Sequence, residues 1–282
     1  MKKSKFIFTI FCILMFSASL AQNIGPENGK LIIVGGGNTE EILPYFIKSS
    51  GGENARIVVI PTASEGENFD NDWYFMNLLK DAGVKNLTII HTRDPKEANT
   101  DEFIKPIKEA TAVWFGGGRQ WRLVDAYANT KVVDELWKLL GRDGVIGGSS
   151  AGATIQGSYL ARGDSKTNTI MMGDHEEGFG FLKNVAIDQH LLARNRMFDM
   201  FEILEARPEL LGLGIDESTA VVVSNDMMEV IGKSYVAIYD GSFYKRDTRE
   251  LKILPENSNK FFLMRKGDKY DLKKRQLIIP NR

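Results

Sequence analysis

Gly148-Ser149-Ser150-Ala151-Gly152 has the G-x-S-x-G spacing of a sharp strand-to-helix turn, which can lift a serine hydroxyl clear of a sheet edge. Gly144-Val145-Ile146 reads as the strand before it, and Ala153 to Leu160 as the helix after it. Strained backbone at the serine needs tiny neighbours, supplied here by two glycines and Ala151. The positive end of the helix would face the hydroxyl, and the Ala151 N–H would meet an oxyanion formed during acyl transfer. Ser150 is the candidate nucleophile, since the symmetrical glycine spacing favours it over Ser149. The same residues could instead pack a helix on a sheet or cradle a phosphate.

A hydroxyl nucleophile needs a base, and the chain holds 3 histidines. His91 follows the end of an apolar run, and His175 sits in the acidic turn Asp174-His175-Glu176-Glu177. His190 closes Ile187-Asp188-Gln189-His190, with Arg194 and Arg196 just beyond. Polar side chains gather there at the end of an apolar strand, which makes His190 the preferred base. The third member should be a carboxylate that orients the imidazole. Leu211-Gly212-Leu213-Gly214-Ile215-Asp216-Glu217-Ser218-Thr219-Ala220 sets two acids between apolar strands, where a charge needs a partner. Spacing alone does not choose between Asp216 and Glu217. Arg194 and Arg196 suit a substrate carboxylate, which a guanidinium grips as a fork, or else they form a solvated face. Two residues apart, they share a target better from a loop or strand than from a helix.

Positioning these groups requires a scaffold, and the N-terminal half alternates strand-like and helix-like segments. Leu31 to Val34, Ile57 to Ile60, Leu87 to Ile90, Ala112 to Phe115 and Gly144 to Ile146 are predicted strands. Ile42 to Ile47, Asn71 to Ala82 and Val132 to Leu140 are predicted helices. Near-continuous apolar strands separated by helices imply an α/β fold: a mostly parallel sheet with helices on both faces, three layers deep. Ligands bind outside the carboxyl ends of such strands, which here are rich in glycine, proline and small polar residues. After Gly157, Thr219 to Val223, Met228 to Ile231 and Tyr235 to Tyr239 read as β-hairpin additions in the C-terminal part.

Residues 1–21 read as a secretory leader: Lys2, Lys3 and Lys5, an apolar run from Phe6 to Phe16, then small residues up to Ala21. The run is shorter than the roughly 20 residues of a membrane span. Cleavage after Ala21 removes those lysines and no acid, moving the formal charge from −1 to −4. It also removes Cys12, the 1 cysteine, and with it any thiol nucleophile, thiolate metal site or disulfide. The expected product is a single α/β domain over 22–282, exported to the periplasm or the medium and not membrane-bound. Near-neutral charge without basic clusters argues against nucleic acid as a partner. A homodimer is compatible with the sequence, which fixes no oligomeric state.

One alternative of a different class is a catalytically silent ligand-binding protein on the same fold; another is a nucleotide-binding protein, because Val34-Gly35-Gly36-Gly37-Asn38-Thr39-Glu40 follows the first strand. Glu40 stands where the third glycine of a dinucleotide fingerprint belongs, and an acid there would repel pyrophosphate. In the hydrolase reading Gly35 to Gly37 simply line the same sheet edge.

Three segments taken in order resemble cyanophycinase: Gly147-Gly148-Ser149-Ser150-Ala151-Gly152-Ala153, Asp188-Gln189-His190, and Gly212 to Ala220. That enzyme belongs to a serine peptidase family that also contains the α-aspartyl dipeptidases. The resemblance runs from about Lys30 to about Asp240 and implies a class I glutamine amidotransferase-like fold with serine in place of cysteine. It implies Ser150 as nucleophile, His190 as base and Glu217, over Asp216, as the orienting carboxylate. Phe115-Gly116-Gly117-Gly118-Arg119-Gln120 is similar to the family's glycine-rich loop, so Gly118 joins Ala151 as a candidate oxyanion donor. Gln120, Asp188, Gln189, Arg194 and Arg196 map to the family's substrate-binding cluster. The implied substrate is cyanophycin, a polyaspartate bearing arginine on its β-carboxyls, or a related aspartyl peptide, and no metal or organic cofactor is implied. Two positions depart from the pattern: Arg119 replaces an aspartate, and Asp199 replaces a third arginine. Such charge changes would redraw a substrate pocket.

Overall fold

Successive residues of the early apolar runs fall into different packing clusters, as a pleated strand requires. Leu31 and Ile33 are buried on one face of β1 (Lys30–Val34), and Ile32 and Val34 on the other. A computed structural model of the chain describes residues 23–240 and 261–278. The leader read over residues 1–21, with Cys12, lies outside the described residues.

Helix α1 (Leu43–Ser49), β2 (Arg56–Ile60), α2 (Tyr74–Asp81) and β3 (Asn86–Ile89) follow. Then come α3 (Pro95–Ala98), α4 (Asp101–Glu109), β4 (Ala112–Phe115), α5 (Gln120–Tyr127), α6 (Lys131–Gly141) and β5 (Val145–Ser149). The five strands pair in parallel in the order β1-β5-β4-β2-β3. On one face, Phe46 of α1 and Phe75, Met76 and Leu79 of α2 cover Ile32, Val59 and Trp114. Each such fully buried side chain contributes about 1.5–3 kcal/mol of transfer free energy. On the other face, α4, α5 and α6 pack Ile104, Ile107, Leu123, Leu136 and Leu139 against Ile33, Val113 and Ile146. Side-chain caps start α3, α4 and α6: Asp94 accepts from the Lys96 N–H, Thr100 from Phe103 and Thr130 from Val132.

Helix α2 starts three residues later than the sequence suggests. The Asp70 carboxylate takes the Asp72 N–H at 2.9 Å, and the Asp70 carbonyl takes the Trp73 N–H at 3.2 Å, so local turns claim the backbone first. A larger difference follows the elbow. The helix expected from Ala153 to Leu160 is a single turn, α7 (Ala151–Thr154), and Gly157–Tyr159 is strand β6. A Cβ at Gly157 would lie 2.9 Å from the Val185 carbonyl oxygen, so this glycine admits the neighbouring strand and long-range pairing overrides the helix.

That neighbour is β7 (Leu182–Gln189), followed by α8 (Met200–Ala206), β8 (Leu211–Ile215), β9 (Thr219–Ser224), β10 (Met227–Gly232) and β11 (Tyr235–Asp240). Strands β12 (Phe261–Arg265), β13 (Lys269–Asp271) and β14 (Gln276–Ile278) end the described chain. The expected C-terminal hairpins divide between two sheets. β9 runs antiparallel to β1 and carries β10, β13 and β14, extending the first sheet to nine strands. A second, five-stranded sheet has the order β12-β11-β8-β7-β6, with β6, β7 and β8 parallel. Val185, Ile187, Leu213 and Ile215 of this sheet share one buried cluster with Leu31 and Ile33. The carboxyl ends of β1, β5, β7 and β8 meet at the seam.

Candidate active site

Ser150 sits at the tip of β5 with φ 56° and ψ −111°, outside the ordinary regions for a residue with a side chain. Such backbone costs about 1–3 kcal/mol and persists only where surroundings over-determine it. Here the Ser150 N–H donates to the Val34 carbonyl at 3.0 Å, and its own carbonyl accepts from Ala153 and Thr154 at 2.9 and 3.1 Å. Gly152 lets the turn dock, because a Cβ there would lie 2.3 Å from the Phe115 carbonyl oxygen.

The base arrives from the second sheet. His190 follows β7 with φ 54°, and its N–H donates to Gly35 at 2.9 Å. Its Nε2 lies 2.9 Å from Ser150 Oγ, and its Nδ1 lies 2.6 Å from Glu217 Oε1. Hydroxyl, imidazole and carboxylate thus form one hydrogen-bonded chain, with 40 residues separating the first two and 27 the last two. Burial pushes the imidazole below its ordinary value of 6.5; Glu217 opposes this, while the cations Arg194 and Arg196 reinforce it. The ring is therefore neutral at neutral pH and free to accept a proton.

Gly35-Gly36-Gly37 does more than line the edge. A Cβ at Gly36 would lie 2.2 Å from His190 Cε1, so the bare backbone is what makes room for the ring. The Gly36 carbonyl also takes the Ser218 N–H at 2.9 Å, which sets the register of Glu217. The glycine run was visible in the sequence, but its contact with the imidazole was not.

The choice that spacing left open has a structural answer for both acids. Glu217 faces the imidazole. Asp216 accepts the N–H groups of Leu192 and Ala193 at 2.9 and 3.0 Å and the Ser234 hydroxyl at 2.6 Å, so it holds the turn after His190. Burial works against its ionisation, but these hydrogen bonds outweigh it and hold Asp216 below the usual carboxylate range.

Several residues mapped to substrate binding are engaged by the protein itself. Gln120 is buried and donates to the Ala161 carbonyl at 2.7 Å. Asp188 is buried beneath a fork from Arg162, with Nε at 2.8 Å and Nη2 at 3.0 Å. Arg196 donates to the Gln189 carbonyl at 3.0 Å and to the Gln189 side chain. Arg194 alone of this group is exposed. Arg119 donates to the Asp164 carbonyl at 2.8 Å, and Asp199 accepts from Arg162 at 2.5 Å. The two charge departures therefore face intramolecular partners. Arg162 escaped the sequence reading, its only signal being a cation in the otherwise uncharged stretch Gly157 to Gly163.

Next to Ser150, a cavity of about 300 Å³ is lined by Gly37, Glu40, Tyr74, Gly117 and Ser149 among others. His91 and His175 lie elsewhere, bonded to Thr62 and Asp125, each at 2.8 Å. Among the described residues, no cluster of three His, Cys, Asp or Glu could hold a metal.

The geometry has relatives. The family pattern of Peptidase family S51 matches residues 31–231. The cyanophycinase of Geminocystis herdmanii (strain PCC 6308) is 31% identical over 259 residues, covering 87% of this chain and 94% of the relative. The cyanophycinase of Synechococcus elongatus is 30% identical, covering 76% and 69% respectively. Among solved structures, a peptidase from an acI-B1 Actinobacterium superposes with a TM-score of 0.64 at 24% identity, covering 88% of this chain and 98% of that one. A putative Peptidase E protein from Listeria monocytogenes EGD-e gives 0.54 at 14% identity, covering 73% and 100%. These likenesses are to the fold, and they bear out the class I glutamine amidotransferase-like architecture with added C-terminal strands. Family pattern and cyanophycinase relatives span the strands that deliver Ser150, His190 and Glu217, and the chain belongs to Peptidase family S51, the serine-type peptidases.

Proposed function

We propose that this peptidase hydrolyses cyanophycin or related aspartyl peptides through an acyl-enzyme, with Ser150 as nucleophile, His190 as general base and Glu217 as its orienting carboxylate. The observation that carries this reading is the continuous hydrogen-bonded chain from Ser150 Oγ through the imidazole to Glu217.

In this reading His190 Nε2 takes the hydroxyl proton as Ser150 Oγ attacks the substrate carbonyl. The same nitrogen then protonates the leaving amine, and water releases the acyl group by the reverse sequence. Glu217 keeps the proton on Nδ1 and stabilises the cation that forms. The N–H groups of Gly118 and Ala151 receive the oxyanion; Ala151 opens α7, whose first N–H groups have no partner within the helix. Loss of one such donor typically lowers turnover about 100- to 1000-fold. Arg194, exposed and near the imidazole, is the cation placed to receive a substrate carboxylate.

The cyanophycinase relatives support the polymer as substrate. The engagement of Asp188 and Asp199 by Arg162 favours a second reading, an exopeptidase acting on short aspartyl peptides, because both carboxylates are withdrawn from a cationic side chain. Incubating purified protein with cyanophycin and with aspartyl dipeptides, then identifying the products by mass, separates the two. Release from either substrate, lost in Ser150→Ala, is the expected result. Release from neither by folded protein would leave a silent binding protein on the same fold.

Residues 1–21 are proposed to direct export to the periplasm or the medium. A processed chain beginning at Gln22 in the exported fraction is expected, and an intact chain starting at Met1 and confined to the cytoplasm would contradict it.

A further inference from the structure

Arg162 takes no part in the chemistry above, yet it is among the most heavily bonded side chains near the site. It follows β6 at φ 56°, and its side chain is 3% exposed. A guanidinium has five N–H donors in a fixed plane, and here each has an acceptor. Nε and Nη2 fork onto Asp188 at 2.8 and 3.0 Å, and Nη2 also reaches Asp199 at 2.5 Å. Nη1 donates to the carbonyls of Asn168 and Thr169, both at 3.3 Å. Arg196 lies 3.6 Å from Asp188, so the two cations balance the two carboxylates. The places joined are the end of β7, two residues before His190, the segment that carries Arg194, and the loop at Asn168.

We propose that Arg162 is a positioning residue for hydrolysis, a buried clamp that fixes the His190 end of β7 relative to the Arg194–Asp199 segment. This rests on the reading of Ser150 and His190 as the reacting pair. Asp199 then serves as the second jaw of the clamp, matched to Arg162. Lysine keeps the charge but has three donors on a flexible stem, so it cannot make the planar double fork.

The test is the rate at which a serine-directed fluorophosphonate labels Ser150, with the final labelled fraction measured separately. A fold defect lowers the fraction; misplacement of the imidazole lowers the rate constant of the molecules that do react. For Arg162→Lys the expected rate constant is about 10- to 100-fold lower, the effect of a displacement near 1 Å, with the probe's half-saturating concentration within about twofold. Asp199→Ala should lower it about threefold, on the order expected for a smaller shift, and Asp199→Asn, which keeps an acceptor, should recover most of that. The Asp199 variants alter a half-exposed group, so they report even if Arg162→Lys fails to fold. Wild-type rate constants in Arg162→Lys, or in both Asp199 variants, would overturn the clamp while leaving the hydrolytic reading intact. A folded wild-type chain that takes up no label would remove both.

Discussion

The two sides of the site come from different sheets, each joining a parallel set to antiparallel strands. The hydroxyl stands on β5, a central parallel strand whose neighbours β1 and β4 are near-continuous apolar runs. The imidazole and the carboxylate follow β7 and β8, a parallel pair in the second sheet. The strands on both sides are largely buried, and on the first side Ser150 is held by bonds to its neighbour Val34 and within its own turn, from Ala153 and Thr154. The second is held by the Gly35 and Gly36 carbonyls across the seam and, within its own sheet, by Asp216 on two N–H groups and Arg162 on two carboxylates. The reacting hydroxyl is thus fixed by bonds within its own turn and to the adjacent strand, while the group that moves a proton depends on hydrogen bonds from residues distant in the chain.

That contrast can be broken from the second side. Glu217→Gln should leave the fold in place and lower turnover by about 10³- to 10⁴-fold, because the amide no longer holds the useful tautomer. Steady-state rates on whichever aspartyl substrate is cut would show it, and a loss under tenfold would make Glu217 dispensable. Gly36→Ala forces a methyl into the imidazole's space and should lower turnover by about 100-fold, the scale of a 1 Å misplacement. A far-ultraviolet circular dichroism spectrum matching wild type would separate this from unfolding.

Two smaller effects sharpen it. Because burial and the neighbouring arginines hold His190 below 6.5, the acid limb of kcat/KM should have its midpoint below that value. A midpoint above 7 would mean that Glu217 outweighs burial. Asp216→Asn should lower stability by about 1–3 kcal/mol, since two N–H groups lose a charged acceptor. The sign with pH follows from the depressed value of Asp216. Its contribution is complete above the ordinary carboxylate value near 3.8 and is lost as pH falls through the lower folded value. The gap in melting temperature between wild type and Asp216→Asn should therefore close toward low pH.

Legibility in the sequence followed the same divide. Leu31 to Val34, Ile57 to Ile60 and Ala112 to Phe115 announced themselves because a strand buried on both faces has no polar residue to interrupt it. Ser150 was visible because an elbow is a local event. The second sheet was less so: β6 is three residues long and exists because Gly157 admits β7, a fact of distant sequence. Asp216 and Glu217 are adjacent in sequence, and which one meets the imidazole depends on the Ser218 N–H reaching Gly36, far away in the chain. Only the family resemblance pointed to Glu217. Arg162 has its carboxylates 26 and 37 residues away, and no short-range pattern announces such a pair.

The most direct test of the central claim is chemical. Wild-type protein treated with a fluorophosphonate and digested should carry one adduct, on Ser150, with labelling lost in Ser150→Ala and slowed by about 10³-fold or more in His190→Ala. An adduct on Ser149, or undiminished labelling of Ser150 without the imidazole, would contradict the account.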